Sequence, residues 1–308
     1  MRQTLILMIC VLLPVGCYSQ VDSSYIGSYE QKLSISPYLA RDMLMLNVES
    51  GGIEKSYIPN NPPNIGLGIT IKNTIIGFSY GYGADFMRDK KYGKTKSLDF
   101  QIHNYGQKIA LDLFIQQYKG FYDDEHGGLD LYPDLDIHQY GLSGQYVLNN
   151  KRFSYKAAFD QNEKQLKSAG SILAGAGVYL TKITSDSSFV YNGKNTFDNF
   201  QFGISAGYAY TWVLGRHWTI NASGTVGINF GSEKVSSFGK QKPEVYPTVF
   251  PRLSAGYDRD SWALGFSYVG NVTFPSLSDD SSITILSGAV QFSYTKRFDN
   301  IPFLKKKR

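Results

Sequence analysis

The chain has 308 residues and a formal net charge of +5, and it is rich in tyrosine, phenylalanine and glycine (23, 19 and 31 residues). No apolar run beyond the first residues is long enough for a membrane-spanning helix, which excludes the class of helical membrane proteins. No basic face with interleaved aromatic residues is present, so the sequence predicts no nucleic-acid partner.

The N-terminus predicts a secretory signal peptide. A basic residue, Arg2, precedes the apolar segment Leu5–Val15, and small residues follow it. We expect cleavage after Ser19, so that residues 1–19 are removed and Gln20 becomes the first residue. The polar residues 20–32 then form a short periplasmic segment.

Both cysteines of the chain, Cys10 and Cys17, lie inside the predicted signal peptide. The mature chain would have none, which excludes disulfides, thiolate metal sites and cysteine nucleophiles. A rival interpretation makes Cys17 a lipid-modified cysteine. It is disfavoured because Pro14 stands where such a motif usually has leucine.

The clearest pattern in the sequence is the pair of runs in residues 201–231. Apolar residues occupy every second position, from Phe202 to Leu214 and again from Trp218 to Phe230. Period two indicates β-strands, because successive side chains of a strand point to opposite faces. Strands of soluble proteins usually have about five or six residues, whereas a tilted strand needs roughly 9–11 to cross a bilayer. The pattern therefore predicts a transmembrane hairpin with an apolar face toward lipid.

Further runs with the same alternation continue along the chain, separated by turns that are alternately short and long. The candidate strands are 33–48, 65–72, 76–82, 98–103, 109–116, 139–148, 153–159, 168–184, 201–214, 218–230, 249–257, 262–272 and 283–298. Three of them fall between the tight turns at Asn149 and Gly215, where an up-and-down order requires an even number. We therefore expect about twelve strands, with about fourteen as the alternative.

These observations predict an all-β fold, a transmembrane antiparallel up-and-down β-barrel over residues 33–298, in the outer membrane of a Gram-negative bacterium. A basic tail, residues 299–308, follows the final aromatic residue Phe298 and departs from the usual barrel ending. A secreted soluble β-sandwich is the alternative fold.

Several segments resemble one known family. They are the segment Thr95–Tyr122 with Leu-Asp-Phe-Gln and Gln-Tyr-Lys-Gly-Phe-Tyr, the segment Tyr57–Asn60 with Gly66-Leu67-Gly68, and the segment Gln165–Ser171. The sequence is similar in these segments to the domain of unknown function 4421 family, predicted outer-membrane proteins of Gram-negative bacteria. The resemblance covers most of the mature chain. It implies a barrel and supplies no catalytic or binding residues.

A cluster of acidic residues is a weak candidate for a metal site. Carboxylates at close spacing are the ligands that Ca²⁺ and Mg²⁺ prefer, although the spacing matches no EF-hand and His126 suits hard cations poorly. A solvated acidic outer loop, bridged by divalent ions to lipopolysaccharide, is the favoured interpretation. The candidates are Asp123, Asp124, Glu125, Asp130, Asp134 and Asp136.

A second set of polar residues falls on the inward register of the predicted strands. Such charges either tune the passage of ions or close the interior with salt bridges, and the sequence leaves both open. The possible lumen-lining residues are Asp99, Gln101, His103, Asp112, Gln116, Lys156, Asp160 and Arg252.

The sequence favours a non-enzymatic barrel: a channel, a structural protein or a surface-binding protein. A membrane-embedded lipid hydrolase or acyltransferase acting on phospholipid or lipid A is the alternative, with His103 as its best candidate because it is the one histidine in mid-strand on a polar face. No motif predicts a cofactor. The expected partners are outer-membrane lipids, lipopolysaccharide and the barrel-assembly machinery.

Overall fold

The computed structural model describes residues 21–31, 33–71, 78–125, 128–161, 163–187, 189, 191, 193–232, 244–277 and 281–299. The predicted signal peptide with Cys17 and its cleavage site lies outside the described residues. So do His126, the connection between the candidate strands 65–72 and 76–82, and the basic tail beyond residue 299.

The described residues form fifteen strands, and three short helical turns connect some of them. The strands are β1 (Ile26–Ser28), β2 (Leu33–Ser50), β3 (Ile53–Tyr57), β4 (Asn64–Ile71), β5 (Phe78–Gly83), β6 (Lys96–Tyr105), β7 (Ile109–Asp123), β8 (Asp130–Val147), β9 (Glu163–Gln165), β10 (Ala169–Thr184), β11 (Thr196–Leu214), β12 (Trp218–Ser232), β13 (Glu244–Asp258), β14 (Trp262–Leu277) and β15 (Ser281–Phe298). The helical turns are Asp85–Met87, Lys90–Tyr92 and Lys156–Asp160. Among the described residues, no helix has the length and apolar character to cross a membrane.

Twelve strands follow one antiparallel hydrogen-bonded order, β5-β4-β2-β15-β14-β13-β12-β11-β10-β8-β7-β6. β11 has 19 residues and β12 has 15, which exceeds the roughly 9–11 residues that a tilted strand needs to cross a bilayer. The prediction of an all-β, up-and-down barrel of the transmembrane type with about twelve strands is therefore confirmed.

The two ends of the barrel differ in their connections. At one end, here the turn end, short connections at residues 106–108, 215–217 and 259–261 join neighbouring strands. At the opposite end, the loop end, β3 and the residue after it connect β2 to β7. β3 pairs with β2, and just beyond it Ile58 and Tyr122 exchange two backbone hydrogen bonds of 2.9 Å. The pairing therefore runs in a complete ring at this level.

The alternation of apolar and polar residues in the sequence corresponds to the outer and inner faces of the strands. On the hairpin of β11 and β12, Ile204 and Val226 are exposed on the outer surface at 69% and 61%. Gln201, Thr225 and Asn229 on the other face are buried inside the barrel. An apolar outer face and a polar inner face are opposite to the arrangement in a soluble barrel, and they suit a barrel surrounded by lipid.

Inward-pointing side chains form three buried clusters along the interior. The loop-end cluster contains Leu44, Leu46, Val48, Tyr57, Tyr118, Phe121, Leu135, Ile137, Ile183, Phe189, Tyr191, Ile283 and Ile285. The turn-end cluster contains Tyr105, Ala110, Val147, Phe153, Tyr155, Ala169, Leu173 and Ala209. Between them lies the middle aromatic layer of Phe114, Tyr179 and Phe250.

The predicted strand 153–159 is wrong, and this resolves the odd count. β8 ends at Val147 and β10 begins at Ala169, and the connection between them, here the plug segment (residues 148–168), folds into the turn end of the barrel. Phe153 and Tyr155 are almost fully buried there. Their spacing of two reflects packing into the turn-end cluster and not pairing in the sheet. A two-stranded sheet of β1 and β9 covers the same end.

Candidate functional site

The inward register of β7 and β13 brings two opposite charges together. Asp112 lies between the outward residues Leu111 and Leu113, and Arg252 follows Pro251 on β13. The guanidinium Nη2 of Arg252 donates a hydrogen bond to the Asp112 carboxylate. The two side chains are only 3% and 8% exposed, so this is a fully enclosed ion pair.

Two tyrosines surround the Arg252 guanidinium. Arg252 Nη1 lies 3.4 Å from the Tyr105 hydroxyl, and the rings of Tyr105 and Tyr155 have their centroids 5.8 and 6.0 Å from the guanidinium carbon. Tyr105 belongs to β6 and Tyr155 to the plug segment. Aromatic faces attract a desolvated cation. The guanidinium of Arg252 therefore connects β13 with β6 and with the plug segment.

His103 completes this group. Its Nδ1 lies 2.7 Å from Asp112 Oδ1, because the two residues are direct partners in the pairing of β6 with β7. The side chain of His103 is 26% exposed. An aspartate that holds a histidine is also one part of a hydrolytic triad. Here, however, the Asp112 carboxylate also accepts a hydrogen bond from Arg252, so it is shared between the two side chains.

A second polar group is centred on Asp99 of β6. Gln101 and Gln116 each donate an amide hydrogen bond of 2.9 Å to its carboxylate, and the Tyr118 hydroxyl donates another. The predicted inward positions of Asp99, Gln101 and Gln116 therefore meet in one place. They form a hydrogen-bond network in which three donors stabilise the carboxylate of Asp99.

Asp42 is a member of the charged interior that the sequence did not single out. It lies on β2, where it accepts a hydrogen bond from the Asn64 side chain, and its neighbour Leu44 is fully buried. The available signal was the interruption of an apolar run by Arg41 and Asp42 in the first candidate strand. A charge inside a barrel strand marks either a lumen residue or a break in the strand, and alternation alone does not separate the two.

The sequence predicts Lys156 and Asp160 on the inward register of a strand, but neither residue lies on a strand. Both belong to the helical turn Lys156–Asp160 of the plug segment. The turn ends at Gln161, the one non-glycine residue with positive φ (54°) among the described residues. These two charges are therefore features of the connection that fills the turn end, and they do not line the wall.

Gln161 fixes the plug segment to the barrel wall through three hydrogen bonds. Its side-chain Nε2 donates to the Leu264 carbonyl at 3.0 Å, and its Oε1 accepts from the Thr295 hydroxyl at 3.2 Å. Its backbone carbonyl accepts from Arg297 Nη2 at 2.9 Å. The left-handed backbone at a residue with a long side chain is thus held by its contacts with β14 and β15.

Arg297 joins the plug segment, the N-terminal segment and β13 at one point. The Tyr29 ring lies 3.5 Å from its guanidinium carbon, and Asp258 Oδ1 is 3.2 Å from its Nη2. The Tyr29 hydroxyl donates to the same Asp258 oxygen at 2.7 Å. Burial raises the pKa of the Tyr29 phenol far above its usual value, and the adjacent carboxylate of Asp258 raises it further.

The acidic residues proposed as metal ligands do not form one loop. Asp123 ends β7 and Asp130, Asp134 and Asp136 lie on β8, so the connection is only residues 124–129. Asp134 Oδ2 accepts the backbone N–H groups of residues 186 and 187 at 3.0 Å. Within the described part of the chain, no three histidine, cysteine or acidic side chains are placed to hold a metal ion.

Comparison with known sequences gives the family. The profile of the family described as "Domain of unknown function (DUF4421)" matches residues 20–298. The chain belongs to this family. This match confirms the resemblance read from the motifs. No curated protein matches the chain.

Solved structures with some likeness include three outer-membrane proteins. The outer membrane protease OmpT from Escherichia coli has a TM-score of 0.36 at 9% identity, over 87% of this chain and 97% of that one. A bacterial polysaccharide outer membrane secretin has 0.35 at 9%, over 87% and 99%. The toluene transporter TodX from P. putida has 0.25 at 8%, over 88% and 91%. At such scores these likenesses carry no argument about function.

Proposed function

We propose that this DUF4421 protein resides in the outer membrane of a Gram-negative bacterium, after export with a cleaved signal peptide. The support is the outward apolar surface on strands such as β11 and β12, which would be costly to expose to water. In this orientation the turn end faces the periplasm, since barrels of this kind have short periplasmic turns. Lipid and lipopolysaccharide surround the barrel, and the barrel-assembly machinery inserts it.

Within that membrane, we assign the protein a non-enzymatic, structural or surface-binding role in preference to an open channel. The observation that carries this is the Arg252–Asp112 ion pair, which spans the interior between clusters of buried side chains at both ends. A solute would have to displace the plug segment, the middle aromatic layer and the loop-end cluster to pass. Each displacement exposes apolar or charged groups and is unfavourable.

Two measurements on the purified full-length protein test this proposal. On a semi-native gel, the unheated protein should migrate differently from the heated protein, because a folded barrel resists detergent. In planar bilayers it should give no steady conductance, while an open porin inserted in the same way conducts. A steady wild-type conductance would refute the filled interior, and a soluble periplasmic protein without heat modification would refute the membrane location.

The contact between His103 Nδ1 and Asp112 at 2.7 Å supports a second candidate, a lipid hydrolase or acyltransferase. It predicts turnover of phospholipid or lipid A that disappears in His103→Ala and survives in His138→Ala. His138 is a matched control because its Nε2 also lies near a carboxylate, Asp136 at 3.0 Å. Turnover that persists in His103→Ala would remove this candidate.

A further inference from the structure

A groove with apolar walls lies on the outer surface of the barrel near the turn end. It crosses β2 and the strands from β12 to β15, and its volume is about 730 Å³. That size falls within the roughly 300–1,000 Å³ of typical small-molecule sites. Its walls include Leu39, Trp218, Trp262, Leu264, Phe292 and Tyr294.

Large apolar side chains of this groove are exposed. Trp218 and Phe292 are 54% and 57% exposed, and Leu39, Leu264 and Tyr294 lie between 42% and 49%. An apolar concavity of this kind on a protein surface marks a place where another apolar molecule binds. The groove lies on the outer face of the barrel, which is in contact with lipid in the proposed function.

The pairing of the strands places the groove residues side by side. Trp218, Tyr257, Leu264 and Tyr294 are consecutive register partners across β12 to β15, and they form a row of large side chains. In the next row, Phe266 on β14 is paired with Phe292 on β15. The residues of both rows line the groove.

Two cations stand at the turn-end rim of the groove. Arg259 Nε donates to the Tyr257 hydroxyl at 3.0 Å, and its guanidinium lies 5.6 Å from that ring. Lys296 is the register partner of Trp262 and shares the outward face with Tyr294. Two acidic residues at this end have partners of their own: Asp258 binds Arg297, and Asp260 binds Lys164.

We propose that this groove binds one acyl chain of an anionic phospholipid, with the phosphate held by Arg259 and Lys296. The inference rests on the proposed membrane location, and it adds a lipid class and a site. Apolar walls with cations on the membrane–water rim match a molecule with an apolar chain and an anionic head. A second copy of the chain fits less well, because a two-fold contact would bring the same rim cations near each other.

The three tryptophans of the chain provide a direct test. In Trp212→Phe, the remaining tryptophans, Trp218 and Trp262, both line the groove. This variant is placed in phosphatidylcholine nanodiscs that contain a minor fraction of lipid with brominated acyl chains, which quench nearby tryptophan. The proposal predicts stronger quenching by brominated phosphatidylglycerol than by the same fraction of brominated phosphatidylcholine. The expected local enrichment is about fivefold for each cation.

Two matched controls define the site. In the Trp212→Phe background, adding Arg259→Gln and Lys296→Gln should abolish the preference for phosphatidylglycerol. Adding Lys119→Gln and Lys182→Gln instead removes the same charge at the loop end and should preserve the preference. A protein that retains only Trp212 should show no preference. Trp212 is also exposed on the outer face, but it lies on β11 outside the groove.

The outcomes separate this inference from the proposed function. Equal quenching by the two brominated lipids would overturn the anionic-lipid site while leaving the membrane location intact. Protection of the groove tryptophans from both lipids in cross-linked dimers would assign the groove to a second copy of the chain. Absence of quenching at all three tryptophans, in a protein that is heat-modifiable, would overturn the membrane location and with it this site.

Discussion

Arg252 on β13 and Asp112 on β7 form an ion pair although four strands, β12, β11, β10 and β8, lie between them in the sheet. The contact therefore runs across the interior of the barrel and not along its wall. His103 contacts the other carboxylate oxygen of Asp112, and the Tyr105 hydroxyl lies 3.4 Å from Arg252 Nη1. This arrangement brings together Asp112, Arg252 and His103 of the polar residues predicted on the inner face.

The first prediction concerns this pair. Arg252→Met should lower the free energy of unfolding by about 3–5 kcal/mol, because it leaves the Asp112 carboxylate buried without its main partner. The double variant Arg252→Met with Asp112→Leu should recover most of that loss, since it removes both charges. Urea unfolding in lipid vesicles, followed by tryptophan fluorescence, measures both variants.

The matched control for that prediction is an exposed pair. Lys119 Nζ lies 4.0 Å from Asp136, and the lysine side chain is 53% exposed. Lys119→Met should therefore change the free energy of unfolding by less than about 1 kcal/mol. Equal losses in Lys119→Met and Arg252→Met would show that the cross-barrel contact contributes no more than a surface pair.

Period-two alternation predicts which side of each strand faces outward, and so the fold follows from the sequence. Ile204 and Val226 are exposed for this reason, and Asp112 and Arg252 are buried for the same reason. The alternation does not predict that those two charges meet. That contact depends on the curvature of the sheet and on how many strands separate β7 from β13.

The plug segment could not be recognised because short extended segments share the pattern of strands. Phe153 and Tyr155 alternate with polar residues as in a strand, but their partners are side chains of the turn-end cluster. The aromatic residues Phe114, Tyr179 and Phe250 were equally hidden, since an inward face is expected to be polar. Glycines give them space: the ring of Phe114 lies where a Cβ on Gly141 would stand.

The second prediction concerns the attachment of the plug segment. Arg297→Met removes charge-assisted hydrogen bonds to Gln161, Asp258 and the Arg259 carbonyl, each at 3.2 Å or less. A loss of about 1.5–3 kcal/mol should raise the open population of the plug segment about ten- to a hundredfold. Trypsin cleavage in residues 148–168, located by mass spectrometry, measures the change.

The control for this experiment is Arg216→Met, on the exposed turn between β11 and β12. It should leave cleavage in residues 148–168 unchanged. If Arg297→Met also leaves cleavage unchanged while the barrel stays heat-modifiable, the plug segment is held by its apolar packing alone and the role of Arg297 is refuted.

The third prediction is a pH dependence at Tyr29. The pKa of its phenol is raised in the folded protein by burial and by Asp258, above the usual value of about 10. The stabilisation by Tyr29 is therefore complete below about pH 10 and is lost as the pH rises through the folded pKa. Wild type and Tyr29→Phe should differ in how well the plug segment is protected from trypsin. This difference should be constant near neutrality and shrink only in strong alkali. A difference that disappears below about pH 9 would contradict the raised pKa.

The last prediction compares a phenylalanine inside the barrel with one on its outer face. Phe250 is buried in the middle aromatic layer, where its ring lies 6.0 Å from that of Tyr179. Phe250→Ala should lower the free energy of unfolding by about 3–5 kcal/mol, because the variant loses the transfer free energy of the ring and leaves a cavity. Phe100 on β6 is 49% exposed on the outer face, where lipid fills the space after Phe100→Ala. That control should lose only the transfer contribution, about 1.5–3 kcal/mol. Urea titrations of the two variants in the same vesicles measure the difference, and equal losses would mean that the middle aromatic layer is loosely packed around a gap.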